Sequence, residues 1–463
     1  MRVYEPGLER LRSLWRRPCS FTAFVPIPGV TTSELNLRLR ALAPQLESAL
    51  SAVTDLHTLR LVALPSSGRD GSSRILFNSV RDRSLNEHFT RLVAVAGPLL
   101  SQAFAGADYS GRPEDVPRLL VRFRKKDMTV HLGAINKGVA DIQSERRLLA
   151  AVEELMDEAV ELGRWPAGTP AETIRQELRA NVLALPDSLG LPTTVSPPVP
   201  WFPRLLRFLD LLVTFAFPAI GVLAVHIQNA IKRIDHPGKR ALAWLAYGLW
   251  WIYGAVFTGM ALLVVRVLEL IEPDVVAPSA DPAKVAQLES TEDLTIVNQV
   301  TYWFPVKPTC VRRLLLRVIL WGSERGCRHF WTNGSLAGIN TIHYARILEV
   351  DDGATMLFLS DYDGSLDRYL LDFLGVGSDA VIPIASNVYG CPKTRWLFTP
   401  ADPGTFGPRL MSLLRLSQLE TPVWYRAYPN LTVDDTLKDG AIRDGLFAPT
   451  LSEKSAADWL AQL

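Results

Sequence analysis

Charge is what this sequence has little of. Only 21% of its 463 residues are charged, and 49 basic against 48 acidic side chains leave a formal net charge of +1. That balance argues against a dedicated nucleic-acid binder, which carries a basic surplus on one face. A mean hydropathy of +0.12 points instead toward membrane segments. Cysteine is scarce too. Cys19, Cys310, Cys327 and Cys391 form no CxxC pair, which argues against a zinc site or a dense disulfide framework. The opening "MRVYEPGLERLRSLWRRP" lacks the apolar core of a secretory signal. No GxSxG, HExxH, Walker loop or GxGxxG occurs, and "GVGSDA" (375–380) lacks a phosphate-loop lysine and reads as a helix stop.

Two apolar runs stand against that background. Residues 241–265, "ALAWLAYGLWWIYGAVFTGMALLVV", carry no charge and reach the ~20 residues needed to cross a hydrocarbon core. Trp244, Tyr247, Trp250, Trp251 and Tyr253 crowd its first half, where an interfacial belt would use them. Residues 211–227, "LLVTFAFPAIGVLAVHI", are shorter and contain Pro218, so a kinked span and a re-entrant helix both fit. The basic turn "QNAIKRIDHPGKR" between them makes a helical hairpin, expected over 201–272. The bilayer is the expected partner, with the protein integral to the cell membrane. Lys232, Arg233, Lys239 and Arg240 pull the turn toward the cytoplasm, whereas Arg204, Arg207 and Arg266 favour cytoplasmic domains, the orientation preferred here.

On either side of the hairpin the chain repeats itself. "RILFNSVRDRSL" (74–85) and "TMLFLSDYDGSL" (355–366) align at an offset of 281, matching Phe77 with Phe358, Ser79 with Ser360 and Asp82 with Asp363. Each copy follows an apolar run and a polar turn, and each precedes an amphipathic helix that Ser84 or Ser365 can cap. "FTAFVPIPG" and "NQVTYWFPVKP" supply an earlier strand in each half, each followed by a helix. "RLLVRFRKK" and "TPVWYRAYPNL" (421–431) are read as the closing strands. The order βαββαβ is the ferredoxin-like unit. The expected fold is therefore α+β: two ferredoxin-like units in one chain, packed as a pseudo-dimeric barrel with a transmembrane helical hairpin inserted. The expected divisions are 18–130 and 296–446 for the two halves, 131–200 for a helical connector and proline-rich linker, 273–295 for a second linker and 447–463 for a C-terminal tail.

This pattern resembles the dimeric α+β barrel superfamily, which includes dye-decolorising peroxidases, chlorite dismutase-like haem proteins and cofactor-free monooxygenases. "GINTIHYARILEVDD", "LFLSDYDGSLDRYLLDFL", "SNVYGCPKTR" and "VWYRAYPNLTVDDTLKDGAIR" look like an uncharacterised family of bacterial membrane-anchored, peroxidase-like proteins. The likeness implies a haem-binding oxidoreductase. "DYDGS" is faintly similar to the GxxDG motif of the dye-decolorising enzymes, whose Asp lies distal to haem, but the leading Gly is absent.

His343 is the candidate cofactor ligand, binding haem iron from its strand "NTIHYARI"; the alternative is a hydrogen-bonded core histidine. At an offset of 281 its repeat partner is Val62. Asp363 and Arg346 are the candidate polar groups of a catalytic site, although Asp-Gly-Ser is also good turn and capping chemistry. Arg395, Tyr425, Arg426 and Tyr428, with Arg346, could line a pocket for an anion or lipid headgroup, or simply snorkel. Two functions remain open. One is a membrane-anchored haem peroxidase-like enzyme, with a cofactor-free monooxygenase a lesser variant. The other is a non-catalytic barrel that holds a small molecule, lipid or partner at the membrane, as monomer or oligomer.

Overall fold

Strands β1 (Cys19–Ile27), β2 (Leu56–Leu64) and β3 (Ser73–Arg81) bring an alternating apolar pattern to two faces at once. Every residue of β2 is buried, so both its faces are covered. The computed structural model describes residues 18–66, 72–82, 84–196, 205, 210, 231, 232, 234 and 236–463, and over these the chain is a mixed α+β structure with two five-stranded antiparallel sheets. The apolar stretch 211–227 lies outside the described residues.

In the first sheet β1 and β2 flank β3, with Phe24 and Val62 both opposite Leu76. Its outer face packs on α1 (Thr32–Leu50), α2 (Leu85–Ala103) and α3 (Val116–Arg122), through Phe21, Leu61, Phe77, Leu39, Phe89 and Leu120. Ser84 caps α2 by accepting from the Glu87 amide, as expected. The run "RLLVRFRKK" departs from expectation. Val116, Leu119 and Leu120 repeat at helical spacing, so it forms α3, and only Arg124–Lys125 remain as strand β4, beside β1.

Three residues later the chain changes sheets. Strand β5 (Thr129–Leu132) pairs with a strand of the second half, placing Val130 opposite Arg346. Two antiparallel helical segments follow where one connector was expected. These are α4 (Val139–Glu161) and α5 (Ala171–Leu183), interrupted by a turn containing Gly163, Pro166, Gly168 and Pro170.

Helix α6 (Pro237–Ile271) is the one described helix long and apolar enough to span a membrane. At 1.5 Å per residue its 35 residues measure about 52 Å, more than a ~30 Å hydrocarbon core requires. Leu242, Val256 and Leu263 along it are 58–67% exposed.

After α7 (Pro282–Glu289), the second sheet repeats the first. Strands β6 (Val297–Pro305) and β7 (Ile342–Val350) flank β8 (Thr355–Asp363), separated in sequence by α8 (Cys310–His329). Helices α9 (Leu366–Leu374), α10 (Ser378–Ala385) and, beyond the small hairpin β9 (Thr394–Trp396) and β10 (Thr399–Pro400), α11 (Pro403–Ser417) cover its outer face with α8. Ser365 caps α9 by accepting from the Arg368 amide. The second half also hands over a strand. Strand β11 (Gln418–Leu419) closes its own sheet against β6, but β12 (Val423–Arg426) crosses to pair with β2, Tyr425 opposite Leu59. The run 421–431 was expected to close its own half, so this pairing corrects the expectation. The sheet orders are β12-β2-β3-β1-β4 and β11-β6-β8-β7-β5. Helices α12 (Val433–Phe447) and α13 (Glu453–Leu460) then pack on α4 and α5 through Leu149, Leu178, Leu446 and Trp459.

The inner faces of the two sheets bury one another. Phe24, Val62, Leu64 and Leu76 meet Leu348, Val350, Leu357 and Leu359. A polar seam crosses the same interface. Arg60 is fully buried and donates to Val300 O at 3.0 Å, Thr301 Oγ1 at 3.2 Å and Ser360 O at 3.2 Å, and it pairs with Asp361. Burial, with the nearby Arg346 charge, pushes the Arg60 pKa well below its ordinary value.

Both flanks of the apolar region are clamped to the second half. At the end of α6, Glu269 accepts from the Leu397 and Phe398 amides at 3.0 and 2.9 Å. Those residues hold φ of 46° and 73°, left-handed values unfavourable for side-chain-bearing residues, so the carboxylate stabilises a strained turn. Glu272 accepts from Arg312 Nη2 at 2.7 Å and Lys307 Nζ at 2.8 Å. On the other flank Asp210 meets Arg325, Arg328 and His329 at the far end of α8.

Replacing Glu269 with Ala should release the 397–398 turn. We expect faster hydrogen exchange at those two amides, with the β1–β3 amides unchanged. Acid should loosen the other clamp. Burial raises the Asp210 pKa, but the hydrogen bond from His329 and the charges of Arg328 and Arg325 outweigh it and hold the group far below its ordinary 3.8. A depressed carboxylate contributes stability above its unfolded value and loses it as pH falls through the folded one. The clamp should therefore be intact above about pH 4 and weaken below it, a dependence that Asp210→Asn should flatten in a pH-stability titration.

Candidate functional site

The register of each sheet breaks once at equivalent places. Between β2 and β3, Leu56 faces Arg81 and Thr58 faces Val80, leaving His57 as an extra residue. Between β7 and β8, Ile342 faces Tyr362 and Tyr344 faces Asp361, leaving His343 as the extra residue. Both are β-bulges, which re-aim a side chain out of the regular alternation. His343 therefore pairs in the repeat with His57, not Val62. Between the last paired residues, nine residues separate Leu64 from Arg74 but four separate Val350 from Thr355, so the offset of 281 that aligns β3 with β8 becomes 286 for the strands before them.

The pairs have matching chemistry. His57 Nε2 lies 2.6 Å from Asp82 Oδ1, and His343 Nε2 lies 2.6 Å from Asp363 Oδ1. Asp82 Oδ2 accepts from the Val139 amide, and Asp363 Oδ2 from the Val433 amide, both at 2.8 Å. Each amide belongs to the first residue of a helix, α4 or α12, whose N-terminal dipole favours the carboxylate. Each helix directly follows an exchanged strand. The two His–Asp pairs thus fasten the returning chain to the bulge on either side.

Two tyrosines break the symmetry. Tyr428 Oη lies 2.7 Å from His57 Nδ1 and 2.7 Å from Tyr344 Oη, and Tyr344 Oη is 3.1 Å from His57 Nδ1. With Asp82 accepting from Nε2–H, Nδ1 accepts in turn, and hydroxyl donation runs from Tyr344 through Tyr428 to His57. Burial pushes both phenol pKa values up, so they remain donors. The His343 ring lies 6.0 Å from that of Tyr428.

The expected residues are therefore only partly gathered. His343, Asp363 and Tyr428 sit together. Arg346 lies deeper, donating from Nη1 to Asn78 Oδ1, and burial lowers its pKa to about 10. Tyr425 packs toward the helices of the first sheet, and Arg426 donates to Thr295 Oγ1 at 2.9 Å. Arg395 is exposed in β9, where its carbonyl accepts from Arg266 at the end of α6. These arginines and tyrosines do not share a pocket.

Two openings were not anticipated. An apolar cavity of about 120 Å³ lies between the second sheet and its helices, walled by Tyr302, Ala345, Phe358 and Ile384, with Ser323 and Cys327 of α8. The alternation of β7 placed Ala345 and Ile347 on one face, but only the packing of α8, α10 and α11 leaves space there. A cleft of about 780 Å³ runs along the other flank of α8, bordered by Arg124, Lys125, Lys126, Arg317, Arg325 and Arg328.

His343 borders neither opening, and its Nε2 is engaged by Asp363. A haem iron would need that ring to face a porphyrin-sized space, so the residues about His343 do not fit haem. Among the described residues no group of three or more His, Cys, Asp or Glu side chains could hold a metal ion.

No protein-family model matches the chain, and comparisons with curated proteins and with solved structures return no match.

If the His–Asp pairs are equivalent fasteners, Asp82→Ala and Asp363→Ala should cost similar stability. Each strands an imidazole nitrogen and a helix amide at ~1–3 kcal/mol apiece, giving roughly 2–6 kcal/mol in a denaturant titration. Tyr428→Phe, which removes one hydroxyl, should cost about 1 kcal/mol.

Proposed function

We propose that this is a membrane-anchored barrel of two ferredoxin-like units that binds an apolar, lipid-like ligand without transforming it. The reciprocal strand orders and the matched bulges support the pseudo-dimeric reading. The observation that carries the function is the cavity under the second sheet. Its surface is almost wholly apolar, with Thr129, His131, Ser323 and Arg346 the polar side chains at its edge, and its size suits a ring or the end of a hydrocarbon chain. Both flanks of the apolar region contact elements around it. Phe398, gripped through its amide by Glu269 of α6, packs on the surrounding apolar cluster, and α8, whose end holds Asp210, supplies Ser323 and Cys327. A ligand partitioned in the bilayer would meet the cavity without crossing water. The basic residues of α8 add positive charge beside the membrane entry and favour the barrel on the cytoplasmic side.

The enzymatic readings have less support. Asp363 is occupied by His343 and Val433; Arg346 donates from Nη1 to Asn78 and also lines the cavity, where its Nε and Nη2 have no hydrogen-bond partner among the described residues. The polar groups near the bulges act on one another.

Filling the cavity tests the proposal. Ala345 is buried against it, and Ala345→Leu should occupy the space. Purified wild-type protein should enhance the fluorescence of a conjugated polyene fatty acid. The variant should bind it about tenfold more weakly, equivalent to ~1.4 kcal/mol, while unfolding at the same or higher denaturant concentration. Equal binding by a folded variant would place the ligand elsewhere. Uptake of haemin with a Soret band would instead revive the oxidoreductase reading.

A further inference from the structure

We infer that α8 lies flat on an anionic bilayer surface as an interfacial helix, a contact separate from the spanning helix. Its buried side is set by Arg312, Leu316, Leu320 and Cys327. Its outer side should be polar if it faced water, yet Val311, Leu314 and Val318 repeat there at spacings of three and four and are 41%, 62% and 41% exposed. A stripe of that kind is buried against something. Beside it lie Arg313 and Arg317, the latter paired with Glu349, and the neighbouring cleft adds Arg124, Lys125 and Lys126 together with Asp127, Asp351 and Asp352; Arg325 and Arg328 are engaged by Asp210. An apolar face flanked by basic side chains is the pattern of a helix seated in the headgroup layer of anionic lipid.

The position of α8 singles out the bilayer as the occupant. Near its first turn Arg312 holds Glu272, just beyond the end of α6. At its last turn Arg325, Arg328 and His329 hold Asp210, immediately before the apolar stretch 211–227. The helix is thus tied at both ends to the points where the chain leaves for the membrane, and its exposed stripe continues the same surface.

The inference rests on α6 spanning the membrane, and the test separates the two. Single cysteines replace Leu314, Val318, Val256 in mid-α6 and Leu37 on α1, in full-length protein carrying Cys19→Ser and Cys310→Ser. Each carries an environment-sensitive fluorophore and is reconstituted into vesicles of phosphatidylcholine, with or without phosphatidylglycerol. Quenchers sit on the lipid chains. We expect strong quenching at 256, clear quenching with a blue shift at 314 and 318 that grows with phosphatidylglycerol, and none at 37. Quenching at 256 with none at 314 and 318 would overturn the interfacial helix and leave the span intact. No quenching at 256 would overturn the membrane reading and this inference with it. Quenching at 314 and 318 that ignores phosphatidylglycerol would overturn the anionic preference. Protection at those positions that appears only as protein density in the vesicles rises would assign the stripe to a second copy.

Discussion

Each sheet takes its last strand from the other half of the chain, and most of the architecture follows from that exchange. A sheet with helices on one face has a bare second face. Here the two bare faces cover each other, and β5 and β12 lock them by crossing between the sheets. Once a strand has crossed, the chain must return along the sheet edge, and the helix that begins there needs its first amides satisfied. Asp82 and Asp363 accept them, and the bulged histidines orient the carboxylates. The bulge, the histidine, the aspartate and the helix start form one device used twice.

The seam between the sheets is more polar than an interior of this size requires. Arg60, Asp361, Arg346 and Asn78 are all buried there. A buried ion pair adds little net stability, because desolvation offsets much of the attraction, but losing one partner is costly. Its effect is on register. A one-residue slip of β2 against β3 would turn Arg60 toward the apolar helices and leave it without acceptors, which discriminates strongly against misaligned pairings. The two halves have diverged most where the apolar space lies. The first sheet is filled from α1, α2 and α3, whereas the second retains a cavity beneath α8 and α10 and bears the clamps on α6 and Asp210. The apolar cavity and the contacts to α6 and Asp210 therefore lie on the same sheet.

Much of this was legible from residue order. The repeat at β3 and β8, the caps at Ser84 and Ser365, and the apolar length of α6 depend on neighbours within a few positions, where periodicity and hydroxyl chemistry act locally. The pairing of His343 with His57 was hidden by a turn that is five residues longer in the first half. A fixed offset cannot see an insertion. The grouping of Arg346 with Arg395 and Arg426 failed for another reason: strand alternation assigns a face but not the neighbour that face will meet.

The sequence by itself determined most element types, the repeated strand and turn at β3 and β8, and the long apolar helix, because each follows from local spacing and from free energies of transfer that depend on composition; the run Arg118–Lys126, a helix where a strand was expected, is the exception. Tertiary structure alone decided which sheet each closing strand joins, where the cavity opens and which carboxylate meets which cation. Those outcomes depend on contacts between residues tens to hundreds of positions apart. Arg60 finds Asp361 and Asp363 finds Val433 only after two sheets have closed on each other, and no local pattern in the chain encodes that distance.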